Sequence, residues 1–193
     1  MQMFCTKRVL LIITLFSFSL GFAQTIPILP AAGPLTPPQQ TGILALIAAA
    51  PEGSTIIFQG ASYGPFLAPI VVPAARISFV SAVNSTTIFS ATPAGPVLAV
   101  PPGANFSCTG IDFEYDNTGP SRNVNVAEVG GVGLATNISS DNCSFSGGIR
   151  NLIAAEPAGN GLLIEGNVTG TIVNSQFINN GGNGIEVGPS VVA

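Results

Sequence analysis

Histidine and tryptophan are absent from the 193-residue chain, and charged residues make up only 7% of it. Scarce charge argues against long amphipathic helices, which need a charged face. Stacked flat strands can instead present Ser, Thr, Asn and Gly to water, so the balance points to β structure. An apolar fraction of 47% excludes disorder. The apolar run Val9 to Leu20 is shorter than the roughly 20 residues that span a bilayer. It follows Lys7 and Arg8 and precedes Gly21-Phe22-Ala23, so residues 1–23 read as a secretory signal peptide of bacterial character rather than an anchor. Cys5 precedes the run, on the wrong side to carry a lipid, and is given no role.

Removing the leader takes away every lysine. Arg76, Arg122 and Arg150 are left against nine acidic residues, a net charge of −6 for the mature chain. Phosphate recognition needs clustered cations, so nucleic acid is excluded as a partner, and an anionic membrane surface is excluded on the same ground. Calcium and neutral sugars are compatible with this charge.

The Pro- and Ala-rich stretch Gln24 to Leu35 reads as an extended linker, and residues 36–193 as one domain. Thr36-Pro37-Pro38-Gln39 carries the pattern of a helix start, with Thr36 and Gln39 placed for a capping box. A short helix is expected over 36–50, with Ile43, Leu46 and Ile47 on its apolar face and Leu44 widening it. From residue 54 onward the chain is strand-like, with apolar pieces at Thr55–Phe58, Ile70–Val72, Ile77–Val80, Thr86–Phe89 and Val97–Val100. Tight Asn-Gly hairpin turns are missing between these pieces, which favours parallel stacking over a meander.

A repeat is visible in the second half. Phe113, Phe145 and Phe177 recur at a spacing of 32, and Asn142 and Asn174 each stand three places before a Phe. In-register stacking lets such amides bond to one another along the pile. Gly131-Val132-Gly133-Leu134, Gly159-Asn160-Gly161-Leu162 and Gly182-Asn183-Gly184-Ile185 look like recurring joints, with unequal loops between them. Two mature cysteines remain, Cys108 and Cys143. This register does not set them directly over one another, so two buried thiols are expected, although an exported chain also permits a disulfide.

The order of helix, Ala50 to Phe58, Tyr63-Gly64, Ile77 to Val80 and Thr86 to Ile88 resembles the opening of a right-handed parallel β-helix of the pectate-lyase-like group. Phe177 to Ile185, FINNGGNGI, is similar to the generic parallel β-helix repeat and to the repeats of polymorphic outer-membrane proteins and related adhesins. The resemblance implies an all-β right-handed parallel β-helix solenoid with a short N-terminal capping helix and rungs over 54–193. The stack stops at Ser190-Val191-Val192-Ala193 without a polar closing element, so a longer protein continuing past it is expected. Secretion or display at the outer cell surface follows from the leader.

Candidate site residues centre on Gly110 to Asn117. If Phe113 faces the core, alternation puts Asp112, Glu114 and Asp116 on the outer face, a platform suited to Ca²⁺, which takes several oxygen ligands. The family resemblance implies an acidic polysaccharide bridged by that calcium, with Arg122 or Arg150 as the nearby cation. Polygalacturonase-like chemistry is excluded by the lack of His and of an Asp-Asp pair. The segments that mark pectin methylesterases are missing, and a lysine base is excluded for the mature chain. Asn84, Asn105, Asn137, Asn142 and Asn167 head Asn-x-Ser/Thr triplets that suit turns and stacking. Tyr63 and Tyr115 are expected as half-buried strand residues, with stacking on a sugar ring as the other use. The expected function is an adhesin-like or glycan-contacting scaffold. The alternative is a calcium-dependent polysaccharide lyase.

Overall fold

The structure, a computed structural model, describes residues 22–90, 95–116, 124–150 and 159–188. The expected leader therefore lies outside the described residues except for Phe22 and Ala23. Among the described residues, the order opens with β1 (Thr25–Ile28) and one helix, α1 (Pro37–Ala48). Three strands follow as a first full pass, β2 (Ser54–Phe58), β3 (Ser62–Phe66) and β4 (Ile70–Val71). A second pass is β5 (Arg76–Ser81), β6 (Thr86–Ser90) and β7 (Leu98–Val100). Next come β8 (Asn105–Thr109), β9 (Ile111–Tyr115), the long β10 (Ala127–Asp141) and β11 (Ser144–Ser146). The long β12 (Leu162–Val173), β13 (Gln176–Ile178) and β14 (Ile185–Val187) complete the order.

Every pairing between these strands is parallel, and an isolated bridge between Val124 and Ile149 is antiparallel. Hydrogen bonding groups the strands into one sheet of nine and one of five, and the larger sheet has two arms. One arm runs β1-β2-β5-β8 into the second halves of β10 and β12; the other runs β4-β7 into their first halves and ends on β14. The chain thus visits three parallel ladders in a fixed cyclic order. The first ladder is β1-β2-β5-β8-β10-β12, the second is β3-β6-β9-β11-β13, and the third is β4-β7-β10-β12-β14. A register shift between Gly131 and Thr136 marks where β10 turns from the third ladder into the first.

Alternation along each strand sends one set of side chains into a shared core. Ile56 and Phe58, Ile77 and Phe79, Phe106 and Cys108, and Ile138 fill it from the first ladder. Phe58, Phe79 and Phe106 meet edge to face at 5.4 and 5.0 Å. Phe113, Phe145 and Phe177 are in register on the second ladder and their rings stack at 5.5 and 5.4 Å, as the spacing of 32 implies.

The segment read as a linker is instead structural. Thr25 to Ile28 pairs with Thr55 to Phe58, and Ile28 is buried. Gln24 and Ile28 turn their carbonyls to Thr55 N and Gln59 N, so alternation points the nitrogen of Pro27 to the unpaired side of this edge strand, where a missing N–H is tolerated. Helix α1 occupies the corresponding end position beside β4. Gln39 Oε1 accepts from Thr36 N at 2.9 Å and Thr36 Oγ1 at 2.8 Å, in line with the expected start. The inward face differs from expectation. Ile43 and Ile47 are buried, Leu46 is 44% exposed, and Gln40 takes the inner position, donating to Leu35 O and accepting from Leu67 N.

Besides β1, two more strands are absent from the sequence expectation. β3 contains Tyr63-Gly64-Pro65 and β8 reads Asn-Phe-Ser-Cys-Thr, so neither shows an apolar run. Gly64 is required for close approach: a Cβ there would lie 2.5 Å from Phe89 O. The joint assigned at Gly131 is also corrected. Ala127 is the residue opposite Leu162, which makes Asn125-Val126-Ala127 the partner of Asn160-Gly161-Leu162, and Gly131 lies at the bend instead. Asn125, Asn160 and Asn183 form the true amide ladder. Asn160 Nδ2 donates to Asn125 Oδ1 at 3.1 Å, and Asn160 Oδ1 accepts from Asn183 N at 2.8 Å. Asn142 and Asn174 do not bond to each other. Both hold left-handed φ angles of 53° and 51° at the corner between the first and second ladders, and the Asn174 amide donates to Asp141.

Candidate functional site

The outward positions of the second ladder form a row across five layers. Ser62, Thr87, Asp112, Ser144 and Gln176 stand opposite one another in register, each one place before or after an inward apolar residue. None of the five is buried. A groove of about 370 Å³ lies along the lower part of this row, bordered by Asn84 and Ser85, Asp112, the corner Asn142-Cys143-Ser144, and Asn174 with Gln176. Its walls are mostly neutral amides and hydroxyls around one carboxylate, with Cys143 and Ile178 completing the lining.

Asp112 is held from both sides. Ser85 Oγ donates to Asp112 Oδ2, and Ser144 Oγ donates to Oδ1 at 3.0 Å. Glu114 follows on the same face and is exposed, with Phe89 and Ser146 as its register neighbours. Asp116 lies just beyond β9, its backbone N–H donating to Ser90 O at 2.7 Å. The alternation expected for these three acids is therefore present, but their neighbours are different in kind. Among the described residues, no group of three or more His, Cys, Asp or Glu side chains comes together to hold a metal ion. Arg150 is exposed after β11, where its backbone lies beside Gly159 and Gly181, at the start of the third ladder rather than in the groove. Arg122 lies outside the described residues.

The first ladder carries a second outward row. Thr55, Ser78, Ser107, Ser139 and Thr171 are in register over five layers. Ser78 and Ser107 share a hydrogen bond of 2.7 Å, and Ser139 and Thr171 one of 3.4 Å. Beside it, Asn137 Nδ2 donates to Thr169 Oγ1 at 3.2 Å.

Both tyrosines are removed from any surface role. Tyr63 is 1% exposed, accepting from Gly60 N and donating to Ile28 O, and burial pushes its hydroxyl pKa up. Tyr115 is 6% exposed. Neither is half-buried as expected, because each side chain falls on an inward position of its strand.

Cys143 forms part of the groove wall, and its Sγ lies 3.3 Å from that of Cys108, with both thiols free and buried. Cys108 is opposite Ser140, not Cys143, so the register argument was right about backbone positions. The corner lets the Cys143 side chain reach back by three residues, which spacing along one strand does not reveal. Cys143 Sγ donates to Cys108 Sγ at 3.3 Å and lies 3.4 Å from Asp141 O. The hydrogen bond between the two thiols holds Cys143 at about 7, below its ordinary value, whereas that same bond and burial push Cys108 up.

None of the groove residues other than Asp112 was expected as a site residue, because the expectation followed acids along one strand; Asn84, Asn142, Asn174 and Cys143 were read only as turn, stacking or thiol residues. Their signal was present across the layers: Asp112, Ser144 and Gln176 each immediately precede a Phe of the 32-residue repeat. Among the described residues, no helix is long and apolar enough to cross a membrane. Compared with known proteins, the chain matches no family model, no curated protein and no solved structure.

Proposed function

We propose that this chain is a right-handed parallel β-helix segment of an exported or cell-surface protein and acts as an adhesin-like scaffold that contacts glycans. The observation that carries this reading is the pair of in-register outward rows, Thr55/Ser78/Ser107/Ser139/Thr171 and Ser62/Thr87/Asp112/Ser144/Gln176. Neighbouring layers repeat at roughly 4.8 Å, so these rows offer hydroxyls and amides at a regular interval. Such groups donate and accept with uncharged sugar hydroxyls, and apart from Asp112 they involve no desolvation of charge. The cyclic visiting of three parallel ladders around one core is what a β-helix requires.

The lyase alternative, with calcium as cofactor, has less behind it. Asp112 is engaged by two serines, and Arg150 stands at a different junction. A panel of neutral and acidic polysaccharides tests the two readings on the full chain. The scaffold reading expects saturable binding that weakens with Gln176→Ala and Asp112→Ala and yields no unsaturated product with or without Ca²⁺. Calcium-dependent product formation that disappears in Glu114→Gln overturns it.

A further inference from the structure

The groove on the second ladder crosses four successive passes of the chain, at Ser85 just before β6, Asp112 on β9, Ser144 on β11, and Gln176 with Ile178 on β13. Neighbouring passes are roughly 4.8 Å apart, so the groove runs along the stack for about 14 Å. Its side chains are open to solvent: Ser85, Asp112 and Ser144 are half-buried, and Gln176 and Ile178 are exposed. Asp112 decides which groups can bind there. An ionised carboxylate accepts hydrogen bonds and donates none. Ser85 Oγ and Ser144 Oγ each take one lone pair, one on either oxygen, and the lone pairs that remain can meet only a donor. A sugar hydroxyl supplies one. A uronate or sulfate brings a second acceptor-only anion, and like charges at close range repel. Among the described residues, neither Arg76 nor Arg150 lines the groove to offset that repulsion.

We infer, resting on the glycan-contacting reading above, that this groove takes an unbranched neutral oligosaccharide laid along the stack axis and discriminates against uronic and sulfated chains. A sugar hydroxyl donates to Asp112. One layer is close to the length of one hexose in an extended chain, so the groove holds about three sugars. The Gln176 amide, at the lower end, can donate to or accept from ring hydroxyls. Ile178, 40% exposed beside it, gives the apolar C–H face of a ring a surface to cover. The first-ladder row shares the layer spacing but has hydroxyls at all five positions, so it lacks the carboxylate that separates neutral from acidic chains.

The test is isothermal titration calorimetry on the full chain with unbranched oligomers of glucose, mannose and galactose, one to six units long, each beside its uronate form. At least one neutral series is expected to bind saturably, to gain affinity up to about three units and then level off. It is expected to bind about tenfold or more tightly than its own uronate, a comparison that needs no variant. Asp112→Asn, which keeps the shape and removes the charge, should weaken the neutral series about tenfold and narrow the gap to the uronate. Gln176→Ala, at an exposed position, should weaken the neutral series while keeping the parent Tm. Three results overturn the groove assignment and leave a glycan-contacting scaffold standing: uronates that bind as tightly as the neutral chains, affinity still climbing from four units to six, or neutral binding unchanged in both variants. Saturable binding by none of the series overturns the glycan-contacting reading as well.

Discussion

Replacing Phe145 with Ala removes the middle ring of a three-ring stack. Phe145 is fully buried and its ring lies 5.5 Å from Phe113 and 5.4 Å from Phe177, so both aromatic contacts are lost at once. Truncation of a buried Phe costs about 3–5 kcal/mol, of which each aromatic pair accounts for about 0.5–1.5 kcal/mol. At about 2–4 °C per kcal/mol for a domain of this size, Tm should fall by roughly 10 °C. Phe177→Ala should cost about half as much, because Phe177 is only partly buried and already meets solvent on one side. Glu114→Ala, on an exposed outward position of the neighbouring strand, should stay within about 0.5 kcal/mol. Thermal melts followed by far-UV circular dichroism on the three variants give the ranking. Equal shifts for Phe145→Ala and Glu114→Ala would refute the assignment of Phe145 to a continuous core.

Asn160→Ala removes a fully buried amide that bridges two layers, leaving Asn125 Oδ1 with fewer donors and Asn183 N without its acceptor. A loss of about 1–3 kcal/mol is expected from the unmatched groups, read as a lower denaturation midpoint in urea. Asn142→Gly should be nearly neutral and Asn142→Val should cost about 1–2 kcal/mol, since the left-handed φ of 53° tolerates Gly and penalises a Cβ-branched residue; the same melts compare them. Phe145→Asp should be far worse than Glu114→Ala, with expression and solubility as the readout, because it places an unpaired carboxylate between two rings.

What could be read from the sequence was the part where the periodicity was regular. The passes through Phe113, Phe145 and Phe177 have equal length, so a single spacing aligned them and also aligned Asp112, Ser144 and Gln176. The third ladder was harder. Ala127 is paired with Leu162 but Leu162 with Ile185, and these unequal offsets let Gly131-Val132-Gly133 pass for a joint when Asn125-Val126-Ala127 holds that position. The better guide was chemical: Asn125 and Asn183 each bond to the Glu three residues on, Glu128 and Glu186. β1 was hidden by Pro27, which an edge strand tolerates, and β3 by Gly64-Pro65, which resembles a turn. The Cys108 to Cys143 contact depends on how a corner aims a side chain, and that is fixed by three-dimensional packing rather than by periodicity.

The central claim is the parallel register of the ladders, and an in-register crosslink tests it most directly. Ser107 and Ser139 are outward partners in adjacent layers of the first ladder, whereas Ser107 and Thr171 are two layers apart on the same row. In a background with every native cysteine replaced by serine, a short methanethiosulfonate bridge should join Ser107→Cys to Ser139→Cys in high yield and leave Ser107→Cys with Thr171→Cys unjoined. Efficient joining of the second pair, or failure of the first in a protein that still folds, would contradict the stacked parallel arrangement.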